Sequence, residues 1–194
     1  MRRFVSPAQS ANNQQGFTLV EVLISMFVLT VGLLSLLGVF AMAMAKTQST
    51  DQDMVAKQLA QEAYEAIFTA RETANISWAQ IQNVGTGQVP DGIFVTGFQP
   101  IRQPGTDGIL GTADDALAGL QTFTLPGADG IVGTSDDQVV SLTNFQRSIA
   151  ITPIVTAGST VADLRTITIT IQYYTPQSKF PKNFVLSGFI SQYR

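Results

Sequence analysis

The 194-residue chain has no cysteine and no histidine. Lacking cysteine, it can form no disulfide, no thiolate nucleophile and no sulfur-based zinc or iron–sulfur site. Lacking histidine, it has neither the commonest general base nor the commonest transition-metal ligand. Carboxylates, lysine and tyrosine remain, so residue types alone do not forbid catalysis, yet no catalytic constellation is visible and no enzyme is expected. Charge is scarce as well, at 13% of residues against 45% hydrophobic. The eleven Lys and Arg form no run or stripe, and the formal net charge is −3. Nucleic acid is therefore not an expected partner of this chain alone.

What the chain has in abundance is hydrocarbon in one place. Val22 to Ala45 is 24 residues without a charge. As a helix it would span roughly 36 Å at about 1.5 Å per residue, against a bilayer core of ~30 Å. Arg2 and Arg3 precede it and Asp51 and Asp53 follow it, so the positive-inside bias places the N-terminus in the cytoplasm. A lone carboxylate, Glu21, heads the run.

Three readings compete for this segment. A secretory signal peptide would use "AMAMA" (Ala41–Ala45) as its cleavage site, but the run is longer than the usual ~7–15 residues. A permanent anchor explains the length and leaves Glu21 unexplained, because an unpartnered carboxylate entering a bilayer is costly. The third reading starts from "GFTLVEVL", Gly16 to Leu23. These residues resemble the prepilin-peptidase signature of type IV pilins and the related secretion pseudopilins. The resemblance implies a leader, 1–16, cut after Gly16, and an N-methylated Phe17 in the mature chain. It also implies that Glu21 meets the Phe17 amine of a neighbouring subunit during filament assembly. Pairing the two charges would offset the burial of each, and a misregistered subunit would leave one uncompensated.

No Gly or Pro occurs between Val39 and Val84, so one helix is expected from Phe17 to about Ile81. Residues 17–45 would form its membrane and filament-core half, and 46–82 an amphipathic continuation. In the second half Val55, Leu59, Ala63 and Ile67 recur every four residues, with Met54, Ala60 and Ala70 flanking them and Lys57, Gln61, Glu65 and Glu72 facing outward. Gly32 and Gly38 mark weak points or close helix contacts in the first half. Residues 83–194 read as a β head. "TITITIQYY" (Thr166–Tyr174) alternates Ile with Thr as a half-buried strand does, and "FQRSIAITPI" (Phe145–Ile154) and "FVLSGFISQY" (Phe184–Tyr193) flank it. "DGIFVTG" (Asp91–Gly97) reads as a further short strand. The fold class expected is α+β: a long N-terminal helix packed against a small antiparallel sheet of three or four strands, with a loop-rich insertion. These patterns are most similar to PilV-type minor pilins.

The insertion carries a repeat. "PGTDGILGTADD" (104–115) returns 22 residues later as "PGADGIVGTSDD" (126–137), identical at nine of twelve positions. The stretch from Gln103 to Gln146 contains six Asp and no Lys or Arg. Tight Asp-Gly turns would gather carboxylates that repel one another unless solvated or bridged. Calcium takes about six to eight hard oxygens, which makes Asp107, Asp114 and Asp115 one expected site and Asp129, Asp136 and Asp137 a second. Thr112 and Thr134 or turn carbonyls would complete the shells. The competing reading is two solvated turns that bind nothing.

The expected protein is thus a single-pass inner-membrane subunit that is later drawn into a periplasmic or extracellular filament. Its partners would be other pilin subunits, a prepilin peptidase, pilus or secretion assembly machinery and membrane lipid. The rival reading is a permanently anchored, calcium-dependent binding module that forms no filament.

Overall fold

The computed structural model describes residues 16–86, 91–175 and 178–193. Arg2, Arg3 and most of the expected leader lie outside the described residues. The chain divides into two compact units, Met1–Met44 and Ala45–Arg194.

In the first unit the chain enters α1 (Leu19–Glu72). Thr18 caps the helix, its Oγ1 accepting the Glu21 amide at 3.3 Å. Every described residue of this unit is exposed, and a window of α1 reaches a mean hydropathy of 2.5 with none of it buried. Hydroxyls within this apolar stretch turn back onto their own helix. Ser25 donates to the Glu21 carbonyl at 2.7 Å and Thr30 to that of Met26 at 2.7 Å, so neither hydroxyl needs water. The helix continues through Gly32 and Gly38, and neither glycine has a neighbour close to its would-be Cβ.

In the second unit α1 buries Ala56, Leu59, Ala60, Ala63, Ile67 and Ala70, the stripe expected from the four-residue spacing. Val55 packs at its edge, and Met54 is exposed. The helix stops at Glu72, nine residues short of the expected Ile81. Its end is a Schellman-type turn: the Asn75 amide donates to the Ala70 carbonyl at 2.9 Å and the Ala74 amide to that of Arg71 at 3.1 Å. Ala74 takes the left-handed conformation, φ 56°, normally supplied by glycine. The missing glycine is why the sequence shows no stop here. Ile76 and Ile81 are then buried, with Trp78 partly so.

The sheet runs β1-β4-β5-β6, all antiparallel: β1 (Gln99–Pro100), β4 (Phe145–Thr156), β5 (Ser159–Tyr173) and β6 (Lys182–Ser191). β5 is the central strand, and its Ile167, Ile169, Ile171 and Tyr173 share one core with the buried helix stripe. Beyond the two-residue β1, Asn83 acts as a substitute strand. Its amide donates to the Ile149 carbonyl at 2.7 Å and its Oδ1 accepts the Ile151 amide at 2.7 Å. Pro153 follows on the same edge with no N–H to offer, which blunts it against further pairing. The stretch 91–97 is not a strand. Phe94 is fully buried and makes only single bridges to Asn83 and Thr112. A separate ribbon, β2 (Thr122–Leu125) with β3 (Gln138–Ser141), carries the second repeat at its tip.

Candidate functional site

Gly16 and Phe17 lie just before the helix, exposed, in irregular backbone. Glu21 sits in the first turn of α1, three residues after the Thr18 cap. That spacing, Thr18-Leu19-Val20-Glu21, is a capping-box sequence, and an acid there is favoured by the helix dipole. Glu21 therefore has a local role at the helix start in addition to any role between chains. The cap signal was present in the sequence beside the signature that drew attention to the acid.

The two repeat loops have the same internal construction. In the first, Asp107 accepts the Ile109 amide at 2.8 Å, and Asp114 accepts the Thr112 hydroxyl at 2.6 Å, the Thr106 hydroxyl at 3.0 Å and the Asp107 amide at 3.1 Å. In the second, Asp129 accepts the Ile131 amide at 2.9 Å, and Asp136 accepts the Thr134 hydroxyl at 2.7 Å and the Asp129 amide at 3.4 Å. Asp115 accepts the Gly111 amide at 2.6 Å, as Asp137 accepts that of Gly133 at 2.6 Å. The glycine after each proline is needed for close approach. A Cβ on Gly105 would lie 2.3 Å from Asp114 Oδ2, and one on Gly127 2.2 Å from Asp136 Oδ2.

These donors set the acidities. The Thr112 hydroxyl, helped by the Asp107 amide, holds Asp114 down to about 2. Thr134 lowers Asp136 in the same direction. Asp115 differs, because burial pushes its carboxyl up although Gly111, Gly105 and Arg147 pull the other way.

Among the described residues no group of three or more acidic side chains gathers as a metal site. In this conformation the carboxylates named for calcium are engaged by amides and hydroxyls. Thr112 and Thr134 donate to Asp114 and Asp136 instead of presenting free oxygens beside them.

The six carboxylates are also not all uncompensated. Arg147 is buried on the inward face of β4 between Phe145 and Ile149. Burial lowers its pKa, and the negative charges of Glu62 and then Asp115 favour its charged form in return. Glu62 in turn accepts the Gln121 amide at 2.9 Å and 3.1 Å. The alternation Phe145, Arg147, Ile149, Ile151 was the signal that Arg147 points inward.

Residues 11–37 match the family profile of the prokaryotic N-terminal methylation motif. The matched span contains Gly16, Phe17 and Glu21 together with the apolar run as far as Leu37. No curated protein and no solved structure gives a significant match. The motif supports a type IV pilin-like subunit of a pilus or pseudopilus, and it implies processing by a prepilin peptidase and assembly with other pilin subunits. Together with the long apolar helix it fits anchoring in the inner membrane before assembly.

Proposed function

We propose that the chain is a minor subunit, of PilV type, of a type IV pilus or a closely related pseudopilus. The peptidase cuts between Gly16 and Phe17, and Phe17 is N-methylated. The mature chain waits in the inner membrane with its head outward until assembly machinery draws it into a filament. Its activity is polymerisation, and the Phe17 amine of one subunit pairs with Glu21 of the next. The observation that carries this reading is the methylation motif over 11–37 with its one acid, Glu21, in the first turn of an apolar helix with no buried residue in its membrane-length window.

Intact mass and N-terminal sequencing of the protein from its native membrane test the class. A chain beginning with N-methylated Phe17 is expected. A chain beginning at Met1 or near Lys46 would instead make it an anchored module or a secreted protein. Two substitutions then separate the roles of Glu21. Glu21→Gln keeps a side chain suited to the helix start and removes the charge, whereas Glu21→Ala removes both. Both variants should be processed normally, and both should lose incorporation into filaments. Wild-type incorporation of Glu21→Gln would show that charge pairing is not what sets register.

Calcium at the repeat loops is a second reading, supported by the ionised carboxylates of Asp114 and Asp136 and by oxygen-only side chains around them. Asp107, Asp114 and Asp115 would hold one ion and Asp129, Asp136 and Asp137 another, with calcium cross-linking each loop. Binding would have to displace the Thr112 and Thr134 hydroxyls from the two carboxylates. Calcium at millimolar concentration should then raise the melting temperature or slow amide exchange in 104–115 and 126–137, and the absence of both effects would remove this reading.

A further inference from the structure

One buried cation has charges near it and no hydrogen bond. Arg71, Arg102 and Arg165 each donate to main-chain carbonyls. Arg147 is 5% exposed, and among the described residues it forms no salt bridge and donates no side-chain hydrogen bond. Its Nη1 is buried without a partner in the chain. Glu62 and Asp115 favour its charge, yet neither is in ion-pair contact with it. A guanidinium carries five N–H donors in a rigid fork. Burying such a fork with no acceptor in contact is costly, and an orphaned polar atom of this kind calls for a partner.

Arg147 lines a cavity of about 360 Å³ bordered by β1, the end of the first repeat loop and β4. Arg102 lines it as well, held by its Nη1 bond to the Ala118 carbonyl at 2.7 Å, and it too forms no salt bridge among the described residues. Two guanidiniums therefore line the same space as one carboxylate, Asp115. That carboxylate is already engaged, its Oδ1 accepting the Gly105 amide at 2.8 Å and its Oδ2 the Gly111 amide at 2.6 Å. Val95, Pro100 and Ile149 supply an apolar wall. The unmet capacity at the cavity is thus on the donor side, from planar forks beside hydrocarbon. An occupant with two coplanar acceptor oxygens and a short apolar body matches all three features.

We infer that this cavity is a binding site for a small organic carboxylate, its oxygens taken by the Arg147 and Arg102 guanidiniums and its hydrocarbon body lying against Val95, Pro100 and Ile149. The ligand supplies the acceptor that the chain does not give Arg147, and the two forks set the preference for a carboxylate over a neutral amide of the same shape. No residue of the methylation motif takes part, so the site stands or falls apart from the filament reading.

Purified full-length chain in detergent, titrated with sodium propionate and followed by ligand-detected NMR, tests the site. Saturable binding is expected. Propionamide keeps the shape and loses the charge, and it should bind roughly tenfold more weakly. Two variants localise the binding. Arg102→Gln removes one fork, and Ala116→Phe puts a ring at an exposed position of the cavity lining. Each should weaken propionate roughly tenfold while melting close to the wild type, since neither side chain is buried. Wild-type propionate affinity in both variants would overturn the inference, as would equal affinity for propionate and propionamide. Binding of neither would leave the cavity to solvent and overturn it as well. Inorganic phosphate bound as tightly as propionate would overturn the carboxylate assignment. Chains found to keep residues 1–16 would remove the filament reading and leave this site in place.

Discussion

Ile109 is 4% exposed, and Ile131, its counterpart in the repeat, is 61% exposed. Asp115 is buried, with the Arg147 charge acting on it, while Asp137 is only half-buried. The loops nevertheless share most of their closing hydrogen bonds and the same left-handed glycines, Gly108 and Gly130 at φ 72° and 71°. Local sequence is thus enough to build the turn twice. It is not enough to decide whether the turn joins a core. That choice is made by what surrounds it, and here only the first loop is flanked by Phe94 and the inward face of β4.

The sharpest way to break this comparison is at the buried acid. Asp115→Ala leaves Arg147 with only Glu62 and strips acceptors from the Gly105 and Gly111 amides. Removing one partner of a buried charge set costs about 3–5 kcal/mol, and denaturant unfolding of the full chain in detergent should read a loss of that size. Asp137→Ala should cost about 1 kcal/mol, the worth of an ordinary hydrogen bond. Equal losses would mean that the two loops have similar surroundings. Next in size are the aliphatic pairs. Ile109→Ala should cost about 2–5 kcal/mol and Ile131→Ala no more than about 0.5 kcal/mol.

The smallest effect is the pH response, where part of the comparison should vanish. A carboxyl held below its ordinary value favours the folded loop once it is ionised, above about pH 4. Asp114 loses that contribution as pH falls through about 2, and Asp136 follows in the same direction. Amide exchange at Asp107 and Asp129 should accelerate together on acidification. Asp115 acts with the opposite sign. Its raised pKa means the folded state takes up a proton before the unfolded chain does, so stability gains as pH falls through the raised value toward 3.8. An Asp115→Ala background should lose that gain and keep the Asp107 acceleration. No change in the stability–pH curve would show that Asp115 does not titrate as its burial requires.

Much of the fold could be read directly. Period-two alternation of Ile and Thr placed β5, and four-residue spacing placed the helix stripe, because both patterns follow from backbone geometry and the removal of apolar side chains from water. The end of α1 could not be read, because its stop uses Ala74 in a conformation that sequence reserves for glycine. The expected strand at 91–97 failed for a related reason: Phe94 is drawn into the core by a non-local bridge to Thr112, and local propensity carries no information about that pairing.

The methylation motif with its acid, the apolar run, and the internal closure of each repeat loop are local features, since they depend on residues within a few positions of one another. The burial of Arg147 beside the charges of Glu62 and Asp115, the use of Asn83 in place of a strand, and the covering of one repeat copy but not the other arise only in the folded chain. Those outcomes depend on which distant surfaces meet, and burial converts the meeting into energy only once the chain has folded.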